Sequence, residues 1–198
     1  MASSGRSVPG VSAVRERPYH HGDLRRALLA AAIEVLDEQG PAALSLRDLA
    51  RRAGVSHAAP AHHFGDKTGL LTAVAAEGYG LLADELRGAA DAGFLEVGVA
   101  YVRFAVAHRA HFSVMFRPEL LRTEDAALLA ARAVTADLLY GSGGDRRAVE
   151  AGVAAWSIVH GFATLWLDGA LPGDLGSDPE AAARAVAGHL RVRAEPQS

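Results

Sequence analysis

Apolar residues fall at helical spacing along nearly the whole chain. Leu24, Leu28, Ala31 and Val35 form one stripe, widened by Leu29, Ile33 and Leu36, which predicts an amphipathic helix over residues 24–39. Asp23 is its expected cap, and Gly40-Pro41 its stop. Leu46, Leu49, Ala50 and Ala53 repeat the spacing over a shorter stretch. Ser45 stands before them as an N-cap, with Asp48 three residues on, the pattern of a capping box. Gly54 supplies the left-handed residue that commonly ends a helix. Ser56 is then placed to cap a second helix opening at His57. Pro60 would be the fourth residue after that cap, among the first amides, which have no intrahelical partner. Helix, glycine-containing turn of about three residues, helix is the order of a helix-turn-helix. In such units the second helix lies in the major groove of DNA.

The pattern continues helical to the end. Asp66 is placed to cap a helix over residues 67–86, with Leu70, Leu71, Val74, Leu81 and Leu82 facing inward. Apolar segments follow at 93–107 and 108–116, then an amphipathic one at 124–140. Gly141-Ser142-Gly143-Gly144 reads as a loop. Asp145 caps a long apolar segment to about Leu167, and Asp178 caps a last helix with Pro179 in its first position. Period-two alternation is absent, so the chain is expected to be all-α: a three-helix helix-turn-helix unit, then a larger α-helical part. The expected divisions are an arm over residues 1–22, the helix-turn-helix unit over 23–66 and the helical remainder over 67–198. The first unit is too small to be robust alone and should lean on the rest.

Composition narrows the classes. Half of the 198 residues are apolar, which excludes wholesale disorder. There is no cysteine, hence no disulfide and no thiolate zinc site, in keeping with a reducing cytoplasm. The first residues contain no apolar run of signal-peptide length. Formal net charge is −3. Residues 1–67 hold 9 Lys/Arg against 7 Asp/Glu, whereas 68–198 hold 11 against 16. The split favours a DNA-facing N-terminal part, and Arg6, Arg15 and Arg17 give the arm a basic character suited to phosphates or a minor groove. Residues 149–171 are apolar enough to suggest a membrane span, but Glu150, Ser157, His160, Thr164 and Asp168 are costly in hydrocarbon. A buried helix, with partners all round, is expected instead. The last helix is its expected neighbour, and the two, paired with a second copy, would make a four-helix dimer interface.

Catalytic and metal chemistry find little support. No G-x-S-x-G elbow, phosphate loop or dinucleotide fingerprint occurs. His108 and His111 stand at i, i+3, a spacing that could bind zinc, but no third ligand falls in register, so no metal and no cofactor are expected. The rival classes are a helical binding or scaffold protein without DNA binding and an all-α enzyme.

Over residues 19–71 the segments YHHGDLRRALL, LSLRDLARRAGVS and HHFGDKTGLL together resemble the tetracycline-repressor (TetR) family of bacterial one-component regulators. The resemblance implies a homodimeric, cytoplasmic transcriptional regulator, by family habit a repressor, that binds a palindromic double-stranded operator. It also implies a small-molecule effector in an all-α C-terminal domain. Trp156, His160 and Gly161 further resemble a subgroup with a Trp, His-Gly signature in that domain. Carried over by position, Ser45 matches a phosphate contact and Arg47 a base-reading position. Ser56, His57 and Ala58 match the groove-facing start of the recognition helix. Ala59, His62 and His63 match backbone or groove contacts, and Lys67 matches a phosphate-binding lysine. Ala61 departs from the pattern, because the family usually places there a tyrosine that supports a phosphate contact. The candidate effector pocket comprises Phe104, His108, Phe112, Met115, Phe116, Trp156, His160 and Trp166, with an apolar or aromatic ligand as its default occupant.

Overall fold

The computed structural model describes residues 21–141 and 145–189, which form nine α-helices and their connections. No strand occurs among the described residues, as the period of the apolar pattern requires. The basic arm to residue 20, residues 142–144 of the glycine loop and residues 190–198 lie outside them. The order is α1 (His21–Gln39), α2 (Leu46–Arg52), α3 (Ala59–Phe64), α4 (Lys67–Ala89), α5 (Phe94–Ala107), α6 (Arg109–Met115), α7 (Ala126–Tyr140), α8 (Arg146–Leu167) and α9 (Pro179–Gly188).

Most boundaries follow local chemistry. Gly40, at φ 75°, and Pro41 end α1. Asp66, Asp125, Asp145 and Asp178 each accept backbone N–H bonds in the first turn of the helix they precede. Two starts differ from the sequence expectation. The helix already includes His21, so Asp23 lies inside it rather than at its cap. The second helix of the helix-turn-helix opens at Ala59, two residues later than His57, and Ser56 gives it no side-chain cap. The connection over residues 53–58 is therefore longer than three residues.

The central α4 packs against α5, α6 and α7 and buries Leu70, Leu71, Val74, Leu82 and Leu86. Leu81 is only partly buried. One continuous core runs from Leu28 in α1 to Ala183 in α9, so the small N-terminal unit does share its interior with the following helices. Where α4 passes α6, Gly78 allows close approach: a Cβ there would lie 2.6 Å from Met115 Sδ and 2.9 Å from His111 Cβ. The Tyr79 hydroxyl spans the same junction and donates to the Met115 carbonyl at 2.9 Å.

The long apolar helix α8 departs from expectation. It buries Gly152, Phe162 and Ala163, but leaves Val149, Val153 and Leu165 exposed at 36%, 41% and 46%. It is not covered on all sides, because α5, α7 and α9 reach only part of its circumference. Nor is α9 mainly its partner. That helix lies chiefly on α5, where Arg184 makes a two-pronged ion pair with Glu96 at 2.8 Å.

Candidate nucleic-acid interface and ligand site

The N-terminal half of the site is built on a short anchor. Within α3 only Pro60 and Phe64 are buried. They stand four apart and so share one helix face. Pro60 sits within the first two positions of α3, where its fixed φ suits a helix and its missing N–H removes no bond. Its ring then serves as the inward contact. Arg25 of α1 lies over the Phe64 ring, 5.5 Å from the centroid. With that face held, Ser56, His57, Ala58, Ala61 and His62 are exposed, while Ala59 and His63 are partly covered. His62 and His63 meet edge to face at 5.5 Å.

Around this surface, Ser45 Oγ accepts from the Asp48 amide at 3.5 Å, the long but expected half of a capping box. Gly54, at φ +66°, ends α2 in the left-handed region, and the Val55 amide closes the turn on the Ala50 carbonyl at 3.0 Å. Arg47 is exposed and makes no ion pair among the described residues. Its neighbours are engaged: Arg52 with Glu38 at 3.4 Å and Arg51 loosely with Asp48 at 3.8 Å. Lys67 is not left facing the positive end of α4. Its Nζ donates to the Ala42 carbonyl at 3.1 Å and ties the approach to α2 onto α4. An ammonium carries three N–H donors, so this bond leaves capacity for a phosphate.

A second joint lies where α3 gives way to α4. Gly65, at φ +78°, turns the chain, and Asp66 caps α4 through the Gly69 amide at 2.8 Å. Arg122, from the segment before α7, pairs with Asp66 at 3.0 Å and lies against Gly65 and Gly69. The Gly69 amide, then the Arg122 guanidinium, hold the Asp66 carboxyl below its ordinary pKa.

In the C-terminal half, Phe112 and Phe116 from α6 or its end meet Trp156 and His160 from α8. The Phe116 and His160 ring centres are 4.6 Å apart, and those of Trp156 and His160 are 5.3 Å apart, as their i, i+4 spacing requires. Tyr101 of α5 closes the cluster, with its Oη 2.8 Å from His160 Nδ1. Burial raises the Tyr101 pKa and lowers that of His160, so both are neutral near pH 7. A single hydrogen joins the two atoms, supplied by the phenol in one imidazole tautomer and by Nδ1–H in the other. Trp156 Nε1 is buried close to the Tyr101 hydroxyl but lacks the geometry of a hydrogen bond.

Two clefts flank this cluster. One, of about 350 Å³, opens between α4, α7 and α8 and is lined by Phe116, Trp156, Tyr79, Arg132 and Tyr140 among others. The other, of about 390 Å³, lies along α6 and α8 beside Phe112, Phe116, His160, Arg109 and Asp168. Four of the eight candidate pocket residues thus line these clefts. Phe104, His108, Met115 and Trp166 line neither. Phe104 is core, with His108 stacked on it at 5.1 Å; Met115 packs on Gly78; and Trp166 stacks on Phe162 at 5.8 Å. His111 is buried with Nε2 3.2 Å from Glu77, and among the described residues no three His, Asp or Glu side chains converge as a metal set. Sequence reasoning missed Tyr79, Tyr101, Arg132 and Tyr140. Each sits at an ordinary core or surface position of its helix, and only the rotation of that helix aims Tyr79, Arg132 and Tyr140 at a cleft and Tyr101 at His160.

An all-α chain that presents a helix-turn-helix outward and stacks aromatic clefts behind it has the build of a DNA-binding regulator with a ligand-sensing domain. Residues 28–74 match the family model described as bacterial regulatory proteins, tetR family, and residues 94–190 match one described as tetracyclin repressor-like, C-terminal domain. The chain belongs to the TetR family. It is 42% identical over 60 residues to the HTH-type transcriptional repressor Rv3405c of Mycobacterium tuberculosis, covering 30% of this chain and 32% of that one. The chain thus spans about a third of the length of the curated relatives it matches. Over the whole fold it is similar to a protein of unknown function from Rhodococcus sp. RHA1, at 35% identity and TM-score 0.72, covering 88% of this chain and 96% of that one. The TetR family transcriptional regulator PfmR from Thermus thermophilus shares the fold at 23% identity and TM-score 0.60, covering 80% and 93%.

Proposed function

We propose that this chain is a cytoplasmic, sequence-specific DNA-binding transcriptional regulator, a repressor released from a palindromic operator by a small molecule. In this reading residues 23–66 bind DNA and residues 67–198 bind the effector and dimerise, and the chain falls in the subgroup marked by Trp156, His160 and Gly161. One observation carries it. Pro60 and Phe64 hold α3 by one face, which leaves Ser56, His57, Ala58, Ala61 and His62 exposed. Arg47 provides an uncommitted guanidinium beside that face, able to bond both acceptors of a guanine. Ser45 and Lys67 serve phosphates, and the methyls of Ala58 and Ala59 suit thymine methyls.

A two-half-site operator calls for two copies with recognition helices about 34–36 Å apart. The uncovered face of α8 supports dimerisation through the last two helices. Val149, Val153 and Leu165 are exposed there, and the Ser157 and Thr164 hydroxyls turn back onto the Val153 and His160 carbonyls. That leaves little polar demand on a surface a second copy would bury. Effector binding at the aromatic cluster would favour a dimer whose recognition helices no longer match the half-site spacing.

The test is a gel shift and footprint on the DNA upstream of the protein's own gene, repeated across salt concentrations. Protection of a palindrome with a steep loss of affinity in salt is expected, since neutralised phosphates release counterions. A chain that stays monomeric and protects no duplex would remove the reading.

A further inference from the structure

The cleft between α4, α7 and α8 contains one charge that no carboxylate among the described residues neutralises. Arg132 is the only charged side chain among its lining residues and forms no ion pair among the described residues. Its guanidinium lies 5.9 Å from the Tyr79 ring centre. It also sits near enough to the Tyr79 and Tyr140 hydroxyls to oppose the upward push that burial gives both phenols. Two other donors nearby are already engaged: Tyr79 donates to the Met115 carbonyl, and the Thr135 hydroxyl to the Tyr79 and Ala131 carbonyls, while Trp156 Nε1 is buried beside the Tyr101 hydroxyl. What remains is a guanidinium at the mouth, the Tyr140 hydroxyl beside it, and an apolar floor of Phe116 and Trp156.

We propose that this cleft takes a monoanionic organic acid, with its carboxylate on Arg132 and its alkyl or aryl body over Phe116 and Trp156. This narrows the default of an apolar or aromatic ligand, and it rests on reading the aromatic cluster as the effector site. A planar fork of N–H donors matches a carboxylate in two parallel bonds; Arg132 is exposed at the mouth, so the geometry of that fork together with the apolar floor carries the selectivity. An amine would meet a like charge in a cleft lined by no carboxylate. A neutral amide or alcohol of the same shape fills the floor but gains nothing from the charge. The cleft along α6 and α8 is less selective, because Asp168 shares it with Arg109 and Arg117.

Octanoate and 4-phenylbutyrate, their primary amides, and octylamine, each titrated into the full chain, test the assignment. Trp156 fluorescence and calorimetry report binding. The acids are expected to saturate with affinities at least ten-fold above the amides, and the amine to bind more weakly still. Arg132→Gln should bring the acids down to the level of the amides. Equal affinity of acid and amide, failure of both acids to bind the folded chain, or acid preference that survives Arg132→Gln would each overturn the proposal. The same titrations on the DNA-bound protein separate it from the regulator reading. Arg132-dependent acid binding that leaves DNA bound upholds the cleft chemistry and removes the effector role. Release by amide as readily as by acid keeps the effector role and removes the carboxylate.

Discussion

Gly152 lies where α8 crosses α7, and replacing it with alanine should destabilise the fold. A Cβ there would lie 2.6 Å from the Leu139 carbonyl oxygen and 2.9 Å from Tyr140 Cα, well inside ordinary contact. Both neighbours are backbone, so no side chain can rotate away and the two helices must part. Alanine is the better helix former by about 0.8–1.0 kcal/mol. Overpacking a tight site costs about 1–3 kcal/mol. Because the relief must come from helix backbone, the upper half of that range applies, and the net loss is about 1–2 kcal/mol. In a chain of this size each kcal/mol moves Tm by about 2–4 °C, so Gly152→Ala should melt about 2–8 °C lower. Gly80 provides the control. It is an exposed residue of α4 where a Cβ meets nothing within 4 Å, so only the propensity gain acts. Gly80→Ala should therefore melt about 2–4 °C higher. Circular dichroism melts at one fixed protein concentration compare the three chains without interference from dimerisation. If Gly152→Ala melts at or above the parent while Gly80→Ala rises as expected, the close α7–α8 crossing is wrong.

Other substitutions probe the site. Arg47→Ala should cost about 1–3 kcal/mol of discrimination at one operator base pair while non-specific binding changes little; an unchanged sequence preference in a binding-site selection would reject base reading by Arg47. Ala61→Tyr should restore a neutral phosphate contact, tightening DNA binding by about 1 kcal/mol with no change in salt slope, because no counterion is released; a steeper slope would contradict that account. Burial holds the pKa of both His111 and His160 below the ordinary 6.5. For His111, burial outweighs the pull of Glu77 and Asp37, and His108 acts with it. The unfolded chain therefore takes up protons first, so stability is complete above pH 6.5 and falls as pH drops through the lowered values. Denaturant midpoints measured from about pH 7 to about pH 5 should fall, and less so in His111→Gln; a midpoint that rises on acidification would refute the assignment.

Helix positions could be read from sequence because the 3.6-residue apolar period marks their bodies and, for α2, α4, α7, α8 and α9, a serine or aspartate cap marks their starts. The exposed face of the helix-turn-helix could be read for the same reason, since the unit is local and its outward face follows once its inward residues are known. Pro60 shows the limit. Its sequence position marked it as tolerable in the first turn of the helix, whereas the fold also buries it as an anchor, a role that depends on the neighbouring helices. The clefts were harder still. Trp156 and His160 could be paired because they share one helix, but Tyr101 reaches His160 across 59 residues of chain. Period analysis assigns Arg132 to a solvated face of α7 and says nothing of the tyrosines on either side of it. The exposed face of α8 misled in the opposite way: an all-round apolar composition asks for partners without stating that this chain covers only part of the helix.

The two-point mounting of α3 has an evolutionary consequence. Because Pro60 and Phe64 alone secure that segment, the solvent-side positions at 57, 58, 61 and 62 can mutate with little penalty to folding. On the regulator reading proposed above, a duplicated copy of the gene could then acquire a new target site through a handful of changes, with the aromatic clefts between the later helices inherited intact.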